Sequence, residues 1–224
     1  MNYKQYSLDS LNYIITYPAD FCEEKTYPVI LFLHGAGNRG NDLNLLLSNA
    51  YFEGLVQKDN FPFVTVAPQC SAETWFDLFE PLKKLVWHIT TLPFADTKRL
   101  YLMGTSMGGY GAWQLAMSIP EYFAAMVPIC GGGMYWNAQR YANIPVWAFH
   151  GADDTIVFPE ESKKMVDAIN AKGGNAKLTI YPDTLHSVWP KVYTDQAVFD
   201  WLLSHEKENA KILEAQDNDI KAFG

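Results

Sequence analysis

The sequence predicts an α/β fold, a largely parallel sheet covered by helices on both faces. Three observations carry this. Seven short runs rich in β-branched and aromatic residues occur at 11–16, 29–33, 63–67, 99–103, 124–130, 146–149 and 177–181. Five longer segments with helical spacing, 43–56, 78–91, 110–118, 159–171 and 192–203, lie between or after most of them. Strands that alternate with helices need crossover connections, which favour parallel pairing under two helical layers. The runs VILFL and VWAF are apolar at successive positions, as expected of central strands buried on both faces.

Taken in order, residues 11–17 precede any helix and are expected to pair antiparallel at a sheet edge. The segment 29–33 is the first central strand, and 63–67 and 99–103 follow one helix each. The interval from Cys130 to Ile144 is too short for a large cap domain. Pro159 suits the first turn of a helix, and Gly173 and Gly174 suit its stop. Residues 1–204 carry no repeat, low-complexity tract or linker composition and are expected to form one domain. Residues 205–224, HEKENAKILEAQDNDIKAFG, are polar with a thin apolar series of Ile212, Ala215 and Ile220, and are expected to form a helical tail.

Composition narrows the function. The 224 residues are 49% hydrophobic, 15% aromatic and 19% charged, which excludes disordered, collagen-like and coiled-coil chains. Seventeen Lys and Arg against twenty-five Asp and Glu give a net charge of -8, so neither nucleic acid nor an anionic membrane surface is an expected partner. No window reaches the roughly 18 apolar residues of a membrane span, and the start lacks a basic region followed by an apolar one, so the chain reads as cytoplasmic. Cys22, Cys70 and Cys130 form no CxxC pair and are expected to be buried free thiols.

The most informative stretch is RLYLMGTSMGGYGAWQLAM, where an apolar run enters Gly104-Thr105-Ser106-Met107-Gly108 and then a helix-forming segment. This G-x-S-x-G turn exposes a serine hydroxyl between strand and helix, where close backbone approach demands glycine on both sides. A bare match arises by chance only about 0.08 times in a chain of this size at average Gly and Ser usage. The start of the helix places the backbone N–H of Met107 where an oxyanion would form. The loop His34-Gly35-Ala36-Gly37, after VILFL, is expected to add a second donor from Ala36, with His34 holding the loop.

A serine nucleophile needs a base, and the base a carboxylate. His186, in the loop after the last strand, is the preferred base over His88, His205 and His150, the last read as a turn residue. Asp153 and Asp154 both follow VWAFHG, where open sheets collect functional groups. Asp154 is preferred, and Asp183 is a weaker rival. Trp75 and Trp189, with Trp136 behind them, are candidates for an acyl pocket, and Gly131-Gly132-Gly133 for its border. Arg39 is either a carboxylate clamp or half of a surface pair with Asp42. The histidines lack ligand spacing, so no metal is expected, and no organic cofactor is implied.

The order Ser106, Asp154, His186, the motifs HGAG at 34–37 and GTSMGG at 104–109, and HGADDTIV at 150–157 with its H-G-x-x-D-x-x-V pattern together resemble the α/β-hydrolase superfamily over almost the whole chain. The resemblance implies an α/β-hydrolase fold of about eight strands and puts the acid on Asp154. Within the superfamily the chain looks most like compact, lidless esterases of the bacterial group labelled predicted peptidases, related to carboxylesterases, dienelactone hydrolases and feruloyl esterases. The expected function is hydrolysis of small or aryl esters through an acyl-enzyme. The alternatives are a serine peptidase, an acyl thioesterase or lysophospholipase, and, less favoured, a non-catalytic binding module.

Overall fold

The computed structural model describes residues 2–56 and 61–207. Eight strands form one sheet: β1 (Asn2–Leu8), β2 (Leu11–Tyr17), β3 (Tyr27–Leu33), β4 (Val64–Pro68), β5 (Ala95–Thr105), β6 (Ala125–Ile129), β7 (Val146–Gly151) and β8 (Ala176–Tyr181). Their order is β1-β2-β4-β3-β5-β6-β7-β8, parallel from β4 to β8 and antiparallel at β1 and β2.

The helices are α1 (Asn44–Leu47), α2 (Ala50–Val56), α3 (Phe79–Thr91), α4 (Met107–Ser118), α5 (Pro159–Ala171), α6 (Trp189–Thr194) and α7 (Gln196–Leu203). One face of the sheet packs against α3, α4 and α5 and the other against α1, α2, α6 and α7. Strand β3 shows why VILFL is uniformly apolar. Val29, Leu31 and Leu33 enter one layer while Ile30 and Phe32 enter the other, as period-two side chains must.

Three expectations need correction. The eighth strand, β1, is NYKQYSL, exposed along almost its whole length, so it carries no apolar pattern. It is held by its ladder to β2 and by Tyr6, which stacks on Tyr13 at 5.4 Å and bonds Tyr17 through the two hydroxyls at 3.0 Å. Strand β2 is therefore antiparallel as expected but lies inside the edge, not on it. The predicted helix 43–56 is split into α1 and α2 by Ser48 and Asn49, where the Asn49 side chain accepts from the Tyr51 N–H at 2.9 Å. The predicted helix 192–203 is likewise two, because Asp195 caps α7 by accepting from the Ala197 N–H.

Residues 205–207 pack on β5: the Tyr101 hydroxyl donates to the His205 carbonyl at 2.8 Å, and Arg99 pairs with Glu206 at 2.9 Å. Ile212, Ala215 and Ile220 lie outside the described residues. Among the described residues no helix is long and apolar enough to cross a membrane. Cys70 and Cys130 are buried free thiols, whereas Cys22 is only half-buried.

The chain leaves β3 toward one helical layer and β5 toward the other, so their carboxyl ends flank a topological switch point, where open sheets place their crevice. The HGAG loop follows β3 and Ser106 follows β5.

Candidate active site

Ser106 joins β5 to α4 with φ 55° and ψ -116°, a left-handed conformation that costs a non-glycine residue about 1–3 kcal/mol and persists only where packing enforces it. The enforcement is visible on both sides. A Cβ on Gly104 would lie 2.1 Å from the Gly108 carbonyl oxygen, and one on Gly108 would lie 2.0 Å from the Leu33 carbonyl oxygen. Strand, turn and helix therefore approach to backbone contact, and the serine side chain is turned outward. Its N–H donates to the Ile129 carbonyl at 2.8 Å, and its carbonyl accepts from the Tyr110 N–H at 3.0 Å. Beneath it the Thr105 hydroxyl bonds the fully buried Tyr193 hydroxyl, tying the turn to the opposite helical layer.

The HGAG loop leans on this turn: a Cβ on Gly35 would stand 3.5 Å from the Ser106 Cβ. His34 is completely buried, its Nδ1–H donating to the Gly35 carbonyl at 2.6 Å and its Nε2 accepting the Cys70 N–H at 3.0 Å. Burial lowers its pKa from 6.5 to about 4, so the ring is a neutral brace. Trp75 is not a pocket wall. It is 1% exposed, and its indole N–H donates to the His34 carbonyl at 3.0 Å, so the ring supports the loop from below. Arg39 does not pair with Asp42 either. It spans from the Ala36 carbonyl to Glu73, with an ion-pair distance of 3.1 Å. Ala36 opens a 3₁₀ turn over Ala36–Asn38 and Met107 opens α4, and the first amides of a helix have no partner within it.

The structure brings Ser106, His186 and Asp154 into one hydrogen-bonded line. His186 Nε2 lies 2.8 Å from Ser106 Oγ, and His186 Nδ1 lies 2.6 Å from Asp154 Oδ2. The other carboxylate oxygen, Oδ1, accepts the N–H groups of Ile156 at 2.9 Å and Val157 at 3.0 Å. Burial of Asp154 favours the neutral acid, but the bonds from His186, Val157 and Ile156 outweigh it and hold the carboxyl below its ordinary value. Asp153 and Asp183 are both exposed and make no such bond. Asp183 instead occupies a turn at φ 50°.

His88 and His205 lie elsewhere, the first edge-on to Tyr13 and the second against Trp201. Trp189 is half-buried with its ring 5.5 Å from His186, edge to face, and Trp136 is 71% exposed beside Tyr135.

Sequence reasoning missed His150 and Ser162. His150, read as a turn residue, is fully buried with Nε2 3.2 Å from Asp154 Oδ2. Its position at the end of an apolar strand was a signal, since a polar ring there demands partners. Among the described residues one group of possible metal ligands is buried: Cys130, His150 and Asp154, whose donor atoms lie within 4.8 Å of one another. Its donor atoms are already committed to partners within the protein. Burial and the Asp154 charge push the Cys130 thiol up to about 12, and its S–H donates to the His186 carbonyl at 3.1 Å, so it supports the His186 loop as a neutral thiol.

Known proteins carry the same framework. A crystal structure of a thermostable esterase superposes with a TM-score of 0.81 at 31% identity, covering 92% of this chain and 63% of that one. The bifunctional acetylxylan esterase/xylanase XynS20E of Neocallimastix patriciarum is 28% identical over 136 residues, 58% of this chain and 20% of that protein. Dipeptidyl-peptidase 5 of Porphyromonas gingivalis is 23% identical over 225 residues, 78% of this chain and 32% of that protein. The chain thus spans only a fifth to a third of these two curated relatives. The model of the dienelactone hydrolase family matches residues 63–212, about two thirds of the sequence and every segment from β4 through the acid and base loops, and the chain belongs to that family.

Proposed function

We propose that the protein hydrolyses carboxylic esters of small or aryl acyl groups by a two-step transfer through Ser106. The single observation that carries this reading is the line of two short hydrogen bonds, 2.8 Å and 2.6 Å, from the hydroxyl at the strained turn through His186 to a buried, anionic Asp154. His186 takes the Ser106 proton as Oγ attacks the ester carbonyl, and Asp154 holds the ring in the tautomer that leaves Nε2 free to accept. The N–H groups of Ala36 and Met107 receive the oxyanion. His186 then protonates the departing alcohol, and water, deprotonated by the same ring, releases the acyl group. Trp189, beside His186, is the proposed apolar wall for the substrate.

The esterases among the relatives support the ester reading, and the dipeptidyl peptidase likeness supports a second one, amide hydrolysis at the same serine. A panel of p-nitrophenyl esters beside p-nitroanilide peptides separates them. Ser106→Ala is expected to abolish turnover of p-nitrophenyl acetate and to remove fluorophosphonate labelling at residue 106, with the fold intact. Wild-type turnover in that variant would overturn the assignment.

A further inference from the structure

We propose that His150 is a positioning residue for the triad, clamping the Asp154 carboxylate with its buried Nε2–H while Ser162 sets the orientation of its ring. The inference rests on the triad reading above and extends it to a second imidazole on the same acid.

The argument begins with acceptors. His150 Nε2 lies 2.8 Å from the Val157 carbonyl, which can only accept, so that nitrogen carries the hydrogen. The same N–H faces Asp154 Oδ2 at 3.2 Å, and both side chains are wholly buried. Val157 in turn gives its own N–H to Asp154 Oδ1 at 3.0 Å. One ring therefore grips both the carboxylate and the loop strand that feeds the carboxylate its amides. Oδ2 is shared between two imidazoles, His186 at 2.6 Å and His150 at 3.2 Å. Three donors bond the carboxylate, the Ile156 and Val157 amides on Oδ1 and His186 on Oδ2, and the His150 N–H stands beside Oδ2 as a fourth, longer contact.

The far side of the ring meets a second polar side chain. Nδ1 lies 2.7 Å from Ser162 Oγ, and that hydroxyl also lies 2.9 Å from the Gly131 carbonyl. Ser162 has a single hydrogen. Given to Nδ1, it leaves the ring neutral; given to Gly131, it requires a hydrogen on Nδ1 and a charged ring. Burial, opposed by the Val157 carbonyl and Asp154, lowers the pKa of His150 and so favours the neutral ring, while the Gly131 carbonyl, which can only accept, competes for the Ser162 hydrogen. The titratable groups facing the ring are Asp154, His186 and the Cys130 thiol. A core histidine retained only for packing would need none of this register with the acid.

The test compares His150→Leu, His150→Gln and Ser162→Ala in the full chain, measuring kcat and KM for p-nitrophenyl acetate against pH, together with Tm and fluorophosphonate labelling. Loss of the N–H in His150→Leu is expected to lower kcat about tenfold with KM held within about twofold. It is also expected to move the acid limb of kcat/KM to higher pH, because a carboxylate with fewer donors stabilises an imidazolium beside it more strongly. His150→Gln, whose amide N–H reaches the same place, restores most of kcat and the wild-type limb. Ser162→Ala, which frees the ring to turn, falls between them. A His150→Leu profile superimposable on wild type, whatever its Tm, overturns the proposal, as does a His150→Gln variant no better than His150→Leu. If His150→Leu does not fold, an unchanged pH profile in Ser162→Ala overturns it instead. Absence of label at Ser106 in the wild type would sink the triad reading itself; label present with unchanged variant profiles sinks only the role of His150.

Discussion

Replacing Asp154 by asparagine asks whether the site needs a carboxylate or only a side chain of that shape. The wild-type group accepts from Ile156, Val157 and His186 at 2.9, 3.0 and 2.6 Å, with His150 at 3.2 Å. A carboxamide offers one acceptor oxygen and one NH2 group. With its oxygen toward the two backbone amides, the NH2 faces the His186 Nδ1–H and forces the ring into the tautomer that carries a hydrogen on Nε2. Ser106 then has no base. With the amide reversed, the NH2 meets two backbone N–H groups that cannot move away, and each buried donor left unpaired costs about 1–3 kcal/mol.

The first orientation, which keeps both backbone amides bonded and is therefore favoured, is expected to lower kcat for p-nitrophenyl acetate about 10⁴-fold, equivalent to about 5.4 kcal/mol of transition-state stabilisation. Fluorophosphonate labelling at Ser106 should slow in step. Asp153→Asn and Asp183→Asn, at exposed positions, should remain within about twofold of wild type. An Asp154→Asn variant within tenfold of the wild-type kcat would refute the assignment of the acid and the tautomer argument with it.

Two further consequences can be measured directly. Burial lowers the His34 pKa from 6.5 to about 4, so between those values the unfolded chain binds the proton more readily and stability falls as pH is lowered; the full effect is about 3 kcal/mol. Urea unfolding from pH 7 to pH 4 should show this slope in wild type and a shallower one in His34→Gln, and equal slopes would refute it. Gly108→Ala drives a Cβ to 2.0 Å from the Leu33 carbonyl oxygen, a backbone atom held by the central sheet. The variant should lose about 3 kcal/mol or more, roughly 10 °C in Tm, and most of the proposed esterase activity; a wild-type Tm would show that the turn relaxes.

The order of strands and helices was legible because periodicity is local. Helix α5 has the bounds its Pro159 start and glycine stop predict, and β3 and β7 lie where the continuous apolar runs place them. Strand β1 was illegible for the complementary reason: a ribbon exposed on both faces has no apolar pattern, and only pairing with β2 makes it a strand. The breaks at Asn49 and Asp195 were equally hidden, since side-chain capping interrupts helical spacing without altering the apolar positions.

In the site, the turn at Ser106 was legible because Gly104 and Gly108 mark close backbone approach, although Gly108 answers to Leu33 on β3 and only Gly104 to the motif's own helix. The loops that carry the proposed acid and base were legible too, because a strand end fixes where a loop emerges. The sequence already preferred Asp154 over Asp153 and Asp183, and tertiary structure supplies the physical reason: adjacent residues point to different environments, and of these three carboxylates only Asp154 reaches His186 and two amides together. Tertiary structure alone moved Trp75 from the pocket to the support of His34, turned Arg39 toward Glu73, and set His150 and Ser162 behind the acid. Those contacts join residues far apart in the chain or in adjoining loops, and their distances come into being only when the strands pair.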